Sequence, residues 1–70
     1  MKYAVIIEQS AHGFGAWAPE LPGCIAAGRT RAETLRLVRE AIERHLEATR
    51  LEGQPVPGPT STVDIVEVAA

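Results

Sequence analysis

The run Pro19-Glu20-Leu21-Pro22-Gly23-Cys24 constrains this chain more than any other stretch. Two prolines three positions apart fix φ and remove two backbone donors, which excludes a helix interior and a central strand. Gly23 then permits a turn through backbone space closed to a side chain. The segment reads as a rigid elbow between two short apolar runs. Its only reactive group is the thiol of Cys24, so it points to architecture and recognition rather than catalysis.

The flanking runs have strand character. Tyr3-Ala4-Val5-Ile6-Ile7 is aromatic and β-branched, predicting a strand from Lys2 to Glu8. Both its faces are apolar, which favours a strand covered on two sides over an edge strand. Gln9 to Gly13 is small and polar, as a hairpin loop requires. Phe14 to Ala18 predicts a second strand ended by Pro19, and Cys24 to Gly28 a third. The third is poor in large side chains, so something is expected to pack close against its backbone.

Thr30 to Leu51 is the predicted helix. Thr30 suits the N-cap, and Glu33 stands where a capping box returns a hydrogen bond. Leu35, Val38, Ile42, Leu46 and Thr49 fall on one side at helical spacing, with Ala41 and His45 alongside. The other side carries Arg36, Arg39, Glu40, Glu43, Arg44, Glu47 and Arg50, where a pair such as Glu40–Arg44 contributes roughly 0.2–0.5 kcal/mol. Leu37 lies off the apolar stripe and is the helical candidate for contacts outside the core. Gly53 is the stop signal.

Pro55, Pro57 and Pro59 make the next segment a stiff, extended connector. Val63 to Val68 predicts a fourth strand whose alternation slips between Ile65 and Val66, implying two-sided burial or a bulge. The order βββαβ gives an α+β two-layer sandwich, with a mostly antiparallel four-stranded sheet and one helix. The crossover rule sets the last strand parallel beside the first. One helix covers one sheet face, and a second subunit is the simplest cover for the other.

Seventy residues make a single domain over 1–70. A chain near this length buries roughly 60% of its unfolded surface, so self-association is a common remedy for a marginal core. With 46% hydrophobic residues in periodic runs, the chain is not disordered. A formal charge of −2 argues against nucleic acid as a direct partner. The single cysteine fits a reducing compartment. Neither a signal peptide nor a run of about 20 apolar residues is visible, so a cytoplasmic protein without membrane contact is expected.

Chemistry is sparse. A metal nuclease needs several carboxylates converging from adjacent strands and a helix, and the middle of the first strand offers Val5, Ile6 and Ile7. Glu8, Glu40 and Asp64 are the acids that reading would have to use. His12 in the hairpin loop and His45 on the helix lie in different elements, without a third ligand at metal spacing. Cys24 enters an apolar strand, which suits a small buried hydrophobe better than an activated thiol. Gly13-x-Gly15 does not open a helix and carries no phosphate-loop meaning. Tyr3, Phe14 and Trp17 are read as core or interface residues. The catalytic, metal and cofactor assignments are therefore none.

These residues resemble the HicB-like antitoxin domains. The matching pattern is Tyr3, Gly13, Phe14 and Trp17, then Pro19-x-Leu21-Pro22-Gly23-Cys24, Gly28, Thr30-x-x-Glu33, Glu40-Ala41-Ile42 and the later prolines. The resemblance covers nearly the whole chain; a departure is Thr34, where relatives commonly carry alanine. It implies a fold similar to a truncated ribonuclease-H-like domain without its catalytic acids. It also implies a non-catalytic role, binding and silencing a HicA-type mRNA-cleaving toxin. Many such antitoxins carry a further DNA-binding segment; here no separate DNA-binding domain is expected.

The expected function is thus an antitoxin-like protein-binding module that self-associates, with a HicA-type toxin as partner. Trp17, Pro19, Leu21, Pro22 and Gly23 are its candidate partner-binding or structural elbow. An orphan oligomeric scaffold and a metal-dependent nuclease stand as alternatives.

Overall fold

The computed structural model describes residues 1–69. Strands β1 (Ile6–Ser10), β2 (Gly13–Trp17) and β3 (Ile25–Gly28) form an antiparallel sheet in that order, followed by helix α1 (Arg31–Leu51). The α+β class and the order of these four elements agree with the sequence.

β1 and β2 join through only Ala11 and His12, since Ser10 and Gly13 are already partners. The Ser10 hydroxyl braces the turn, donating to the Gly13 carbonyl and accepting from the His12 N–H, each at 3.3 Å. Register then follows residue by residue: Ile6 faces Trp17 and Ile7 faces Ala16 on β2, while Trp17 faces Ile25 and Ala16 faces Ala26 on β3. Directly opposed residues share a sheet face. One face therefore carries the row Ile7–Ala16–Ala26 and the row Gln9–Phe14–Gly28. The other carries Ile6–Trp17–Ile25 and Glu8–Gly15–Ala27.

The helix lies on the Gly28 face. A Cβ built on Gly28 would stand 2.7 Å from the hydroxyl of Thr34 and 3.1 Å from its amide nitrogen. This is the close approach expected from a third strand poor in large side chains, and Thr34 is the residue that makes it, fully buried in the helix's first turns. Its hydroxyl donates to the Thr30 carbonyl at 2.8 Å, so no buried polar atom of it is left unpaired. Val38 is 2% exposed on the same side, whereas Leu35 is displaced to the flank at 37%.

Both helix ends are closed as the sequence requires. The Thr30 hydroxyl accepts from the Glu33 N–H at 3.1 Å. The Glu33 carboxylate accepts from the Arg29 N–H, one residue earlier than in a capping box. At the other end Gly53, at φ +74°, donates to the Arg50 carbonyl and Gln54 donates to that of Thr49. These two bonds make a Schellman close, which satisfies carbonyls the helix leaves over. On the solvent side Glu40 pairs back with Arg36 at 2.9 Å rather than forward with Arg44.

Two strand expectations are corrected. Val63 to Val68 forms no ladder, so among the described residues the sheet has three strands rather than four. β1 is consequently an edge strand, and it begins at Ile6 rather than Lys2. The cause lies in the proline connector. The Tyr3 hydroxyl bonds the Pro57 carbonyl, and the Glu20 carboxylate then accepts from the Thr60 N–H at 2.7 Å, the Thr60 hydroxyl at 2.6 Å and the Ser61 N–H at 2.7 Å. These contacts fasten the chain to the β2–β3 connection before the last apolar run begins. The radius of gyration, 13.8 Å, exceeds the roughly 11 Å of a compact chain of this length, and the apolar side chains of that run are exposed.

Candidate functional site

The elbow between β2 and β3 is two consecutive turns. The Leu21 N–H donates to the Ala18 carbonyl at 3.1 Å and the Cys24 N–H to the Leu21 carbonyl at 3.0 Å. A proline follows the first residue of each turn, where its fixed φ suits the geometry. Gly23, at φ +89°, completes the second as a type II turn, a position that glycine occupies without strain. The Ala18 N–H closes the whole loop onto the Cys24 carbonyl at 3.1 Å.

The three-residue spacing of the turns sorts the elbow into inner and outer residues. Ala18, Leu21 and Cys24 point inward, exposed by 4%, 1% and 2%, and pack with Tyr3, Ile42 and Leu46. Pro19, Pro22 and Gly23 face outward. Of the five residues proposed from sequence, Leu21 is thus a core plug, worth roughly 1.5–3 kcal/mol of burial. The other four are at least partly accessible. Burial pushes the Cys24 thiol above its ordinary pKa, and its sulfur lies 3.9 Å from the Ala41 carbonyl. It is a packing group held in its unreactive, protonated form.

Trp17 belongs to a second feature, which sequence reasoning missed. It lies between Ile6 and Ile25 in a row across all three strands, on the face away from the helix. Ile6 is 38% exposed and Ile25 69%. Glu8 lies on the same face, one row along. The register was recoverable: once Ala11-His12 is read as a two-residue turn, Ile6 must fall opposite Trp17. Placing Ile25 needed the length of the double turn as well.

The remaining candidates do not converge. Glu8 is on the open face, Glu40 is tied to Arg36 on the helix, and the Asp64 carboxylate accepts from the Ile65 N–H at 2.8 Å. Among the described residues no three His, Cys, Asp or Glu side chains are grouped as metal ligands. His12 is exposed at the hairpin tip and His45 half-buried on the helix. No helix among the described residues is long and apolar enough to cross a membrane. What the arrangement offers is a non-polar surface beside a carboxylate, suited to contact with another polypeptide.

Known proteins with similar sequences are small. UPF0150 protein Ta0767 of Thermoplasma acidophilum is 36% identical over 58 residues, covering 81% of this chain and 84% of that protein. UPF0150 protein ssr1765 of Synechocystis is 39% identical over 56 residues, covering 79% of this chain and 71% of that protein. Two solved structures are similar in fold, each at 35% sequence identity over 86% of this chain. A chain of a HicA3 and HicB3 toxin-antitoxin complex superimposes with a TM-score of 0.69 and is covered over 70% of its length. The crystal structure of antitoxin HicB3 gives 0.72, with 44% of that longer chain covered. Residues 3–69 match the family described as HicB_like antitoxin of bacterial toxin-antitoxin system. A match of that extent takes in the elbow, the helix and the proline connector alike, and the chain belongs to the HicB-like antitoxin family.

Proposed function

We propose that this chain is a non-catalytic binding module that neutralises a HicA-type, mRNA-cleaving toxin by covering it. The observation carrying this reading is the row Ile6–Trp17–Ile25, left open on the face the helix does not cover, in a chain of an antitoxin family. A central aromatic flanked by aliphatic side chains has the composition of an interface anchor. Glu8 beside it supplies an acidic contact for a basic partner. The outward residues of the elbow, Pro19, Pro22 and Gly23, extend that surface at the end of β2 without a flexible side chain to immobilise on binding. The similarity of one chain in a HicA3–HicB3 complex supports the choice of partner.

In this reading the chain is one cytoplasmic domain that works without cofactor, nucleic acid or membrane. The ribonuclease-H-like architecture that the family resemblance implies would carry no chemistry in this reading. Two copies associate to cover apolar surface that one copy leaves open.

The test is calorimetric titration of the full chain with a HicA-type toxin, alongside an RNA-cleavage assay. Stoichiometric binding with loss of cleavage is expected, weakened by Trp17→Ala and by Ile25→Asp. Absence of binding sinks the proposal. So does RNA turnover by this chain itself that disappears with Glu8→Gln.

A further inference from the structure

The last apolar run of the chain has no place in its own fold. Val63, Ile65, Val66 and Val68 are 63%, 91%, 79% and 73% exposed, a stretch of β-branched residues standing in water. One edge of the sheet is equally unfinished. β1 presents unpaired backbone groups along its outer side, the liability that edge strands carry.

The two match in pattern. Around the β1 edge, Tyr3 and Val5 face a groove of about 410 Å³ bounded on the helix by Leu35, Val38 and Ile42, while Ile6 faces the opposite side. An added strand there would set one face over that groove and the other beside Ile6 on the open face of the sheet. The terminal run is apolar on both, with Val63 and Ile65 on one side and Val66 and Val68 on the other. Six residues at about 3.3 Å each are also long enough to run the full edge of β1, Ile6–Ser10. Lys2 beside this edge and Arg39 in the groove offer positive charge to Asp64 and Glu67, with Glu43 the one acid on the groove's rim.

The chain's own run is held away from its own edge. Glu20 fixes Thr60 and Ser61 at the β2–β3 connection, on the flank of β1 opposite the free edge. Only Thr62 separates that clamp from Val63. The two steps from Ser61 to Val63 span at most about 7 Å, less than the two strand spacings of about 4.8 Å each that lead from β2 across β1 to an added strand. A second copy can offer its edge without that restriction.

We propose that Val63–Val68 of one copy adds as a fourth strand to the free β1 edge of a second copy, the two copies exchanging segments. This deepens the self-association in the functional reading and is independent of toxin binding. It is tested on the full chain without toxin, by light scattering and by amide hydrogen exchange at low and high protein concentration. A dimer is expected, with Ile6–Ser10 and Val63–Val68 gaining protection together as concentration rises. Ile65→Asp and Val66→Asp change residues outside the core, so folding is retained; each should weaken the dimer at least about tenfold, as loss of a buried aliphatic side chain implies. A monomer whose terminal run is protected at every concentration overturns the proposal, because the run then closes its own sheet. An unprotected terminal run in a monomer overturns it too. A dimer indifferent to both substitutions sinks the exchange and leaves self-association standing through another surface.

Discussion

The hydroxyl of Thr34 occupies the space that a side chain on Gly28 would need, 2.7 Å from the position of its Cβ. Helix and third strand are therefore in contact through the absence of one methyl group. Gly28→Ala should destabilise the fold by about 1–3 kcal/mol, the usual cost of overpacking. Thr34→Ala in the same chain should restore part of the loss, although the Thr34 amide, 3.1 Å away, stays in place. Thermal unfolding of the two single variants and the double variant measures the coupling; simple additivity would show that these residues do not meet.

Leu21 and Pro22 are adjacent in the elbow and opposite in role. Leu21→Ala empties a site 1% exposed and should cost about 2–5 kcal/mol. Pro22 is exposed, and Pro22→Ala should change stability far less, through freedom gained in the unfolded chain. Chemical denaturation of the two variants makes the comparison. Equal losses would mean that the elbow acts as one rigid unit and not as a plug with an outer rim.

Glu20 makes the connector sensitive to acid. Its carboxyl is held below the usual carboxylate range, first by the Thr60 hydroxyl and then by the N–H groups of Thr60 and Ser61. A pKa lower in the folded state than its ordinary 4.5 stabilises the clamped arrangement fully above that pH, and the contribution disappears as pH falls through the lowered value. The Thr60 and Ser61 amide resonances should be constant from neutral pH to about 4.5 and move only below it. In Glu20→Gln that titration should vanish. A midpoint at the ordinary carboxylate value would show that the clamp does not form.

Cys24 should resist modification. Its thiol is 2% exposed and shifted upward by burial, so thiolate is scarce at neutral pH. A disulfide reagent should react with the unfolded chain at the rate of a free thiol and with the folded chain at the rate of local opening. Equal rates in the two states would contradict the inward orientation of the elbow.

The parts of this fold written locally were legible in the residues. Thr30, Glu33 and Gly53 mark the helix ends through hydrogen bonds spanning a few positions, and the observed helix begins and ends where they place it. The elbow was legible for the same reason, because Pro19 and Pro22 fix φ and Gly23 supplies the positive φ that the second turn needs. Features set by contacts between distant residues were not. Thr34 looks like a polar helix residue until Gly28 is brought beneath it, and Leu35 leaves the core for the same cause. The terminal run reads as a strand by composition, yet its pairing depends on Glu20 holding Thr60, forty residues away in sequence. Ile6 and Ile25 became part of a surface only once the sheet register aligned them with Trp17.

The alternation of hidden and outward positions in the double turn divides labour within seven consecutive residues. If the outer elbow binds a partner as proposed, substitutions at Pro19, Pro22 or their outward neighbours would retune which polypeptide this end of the sheet accepts, while the buried Ala18, Leu21 and Cys24 keep their packing. Descendants of such a chain could then change allegiance without having to fold anew.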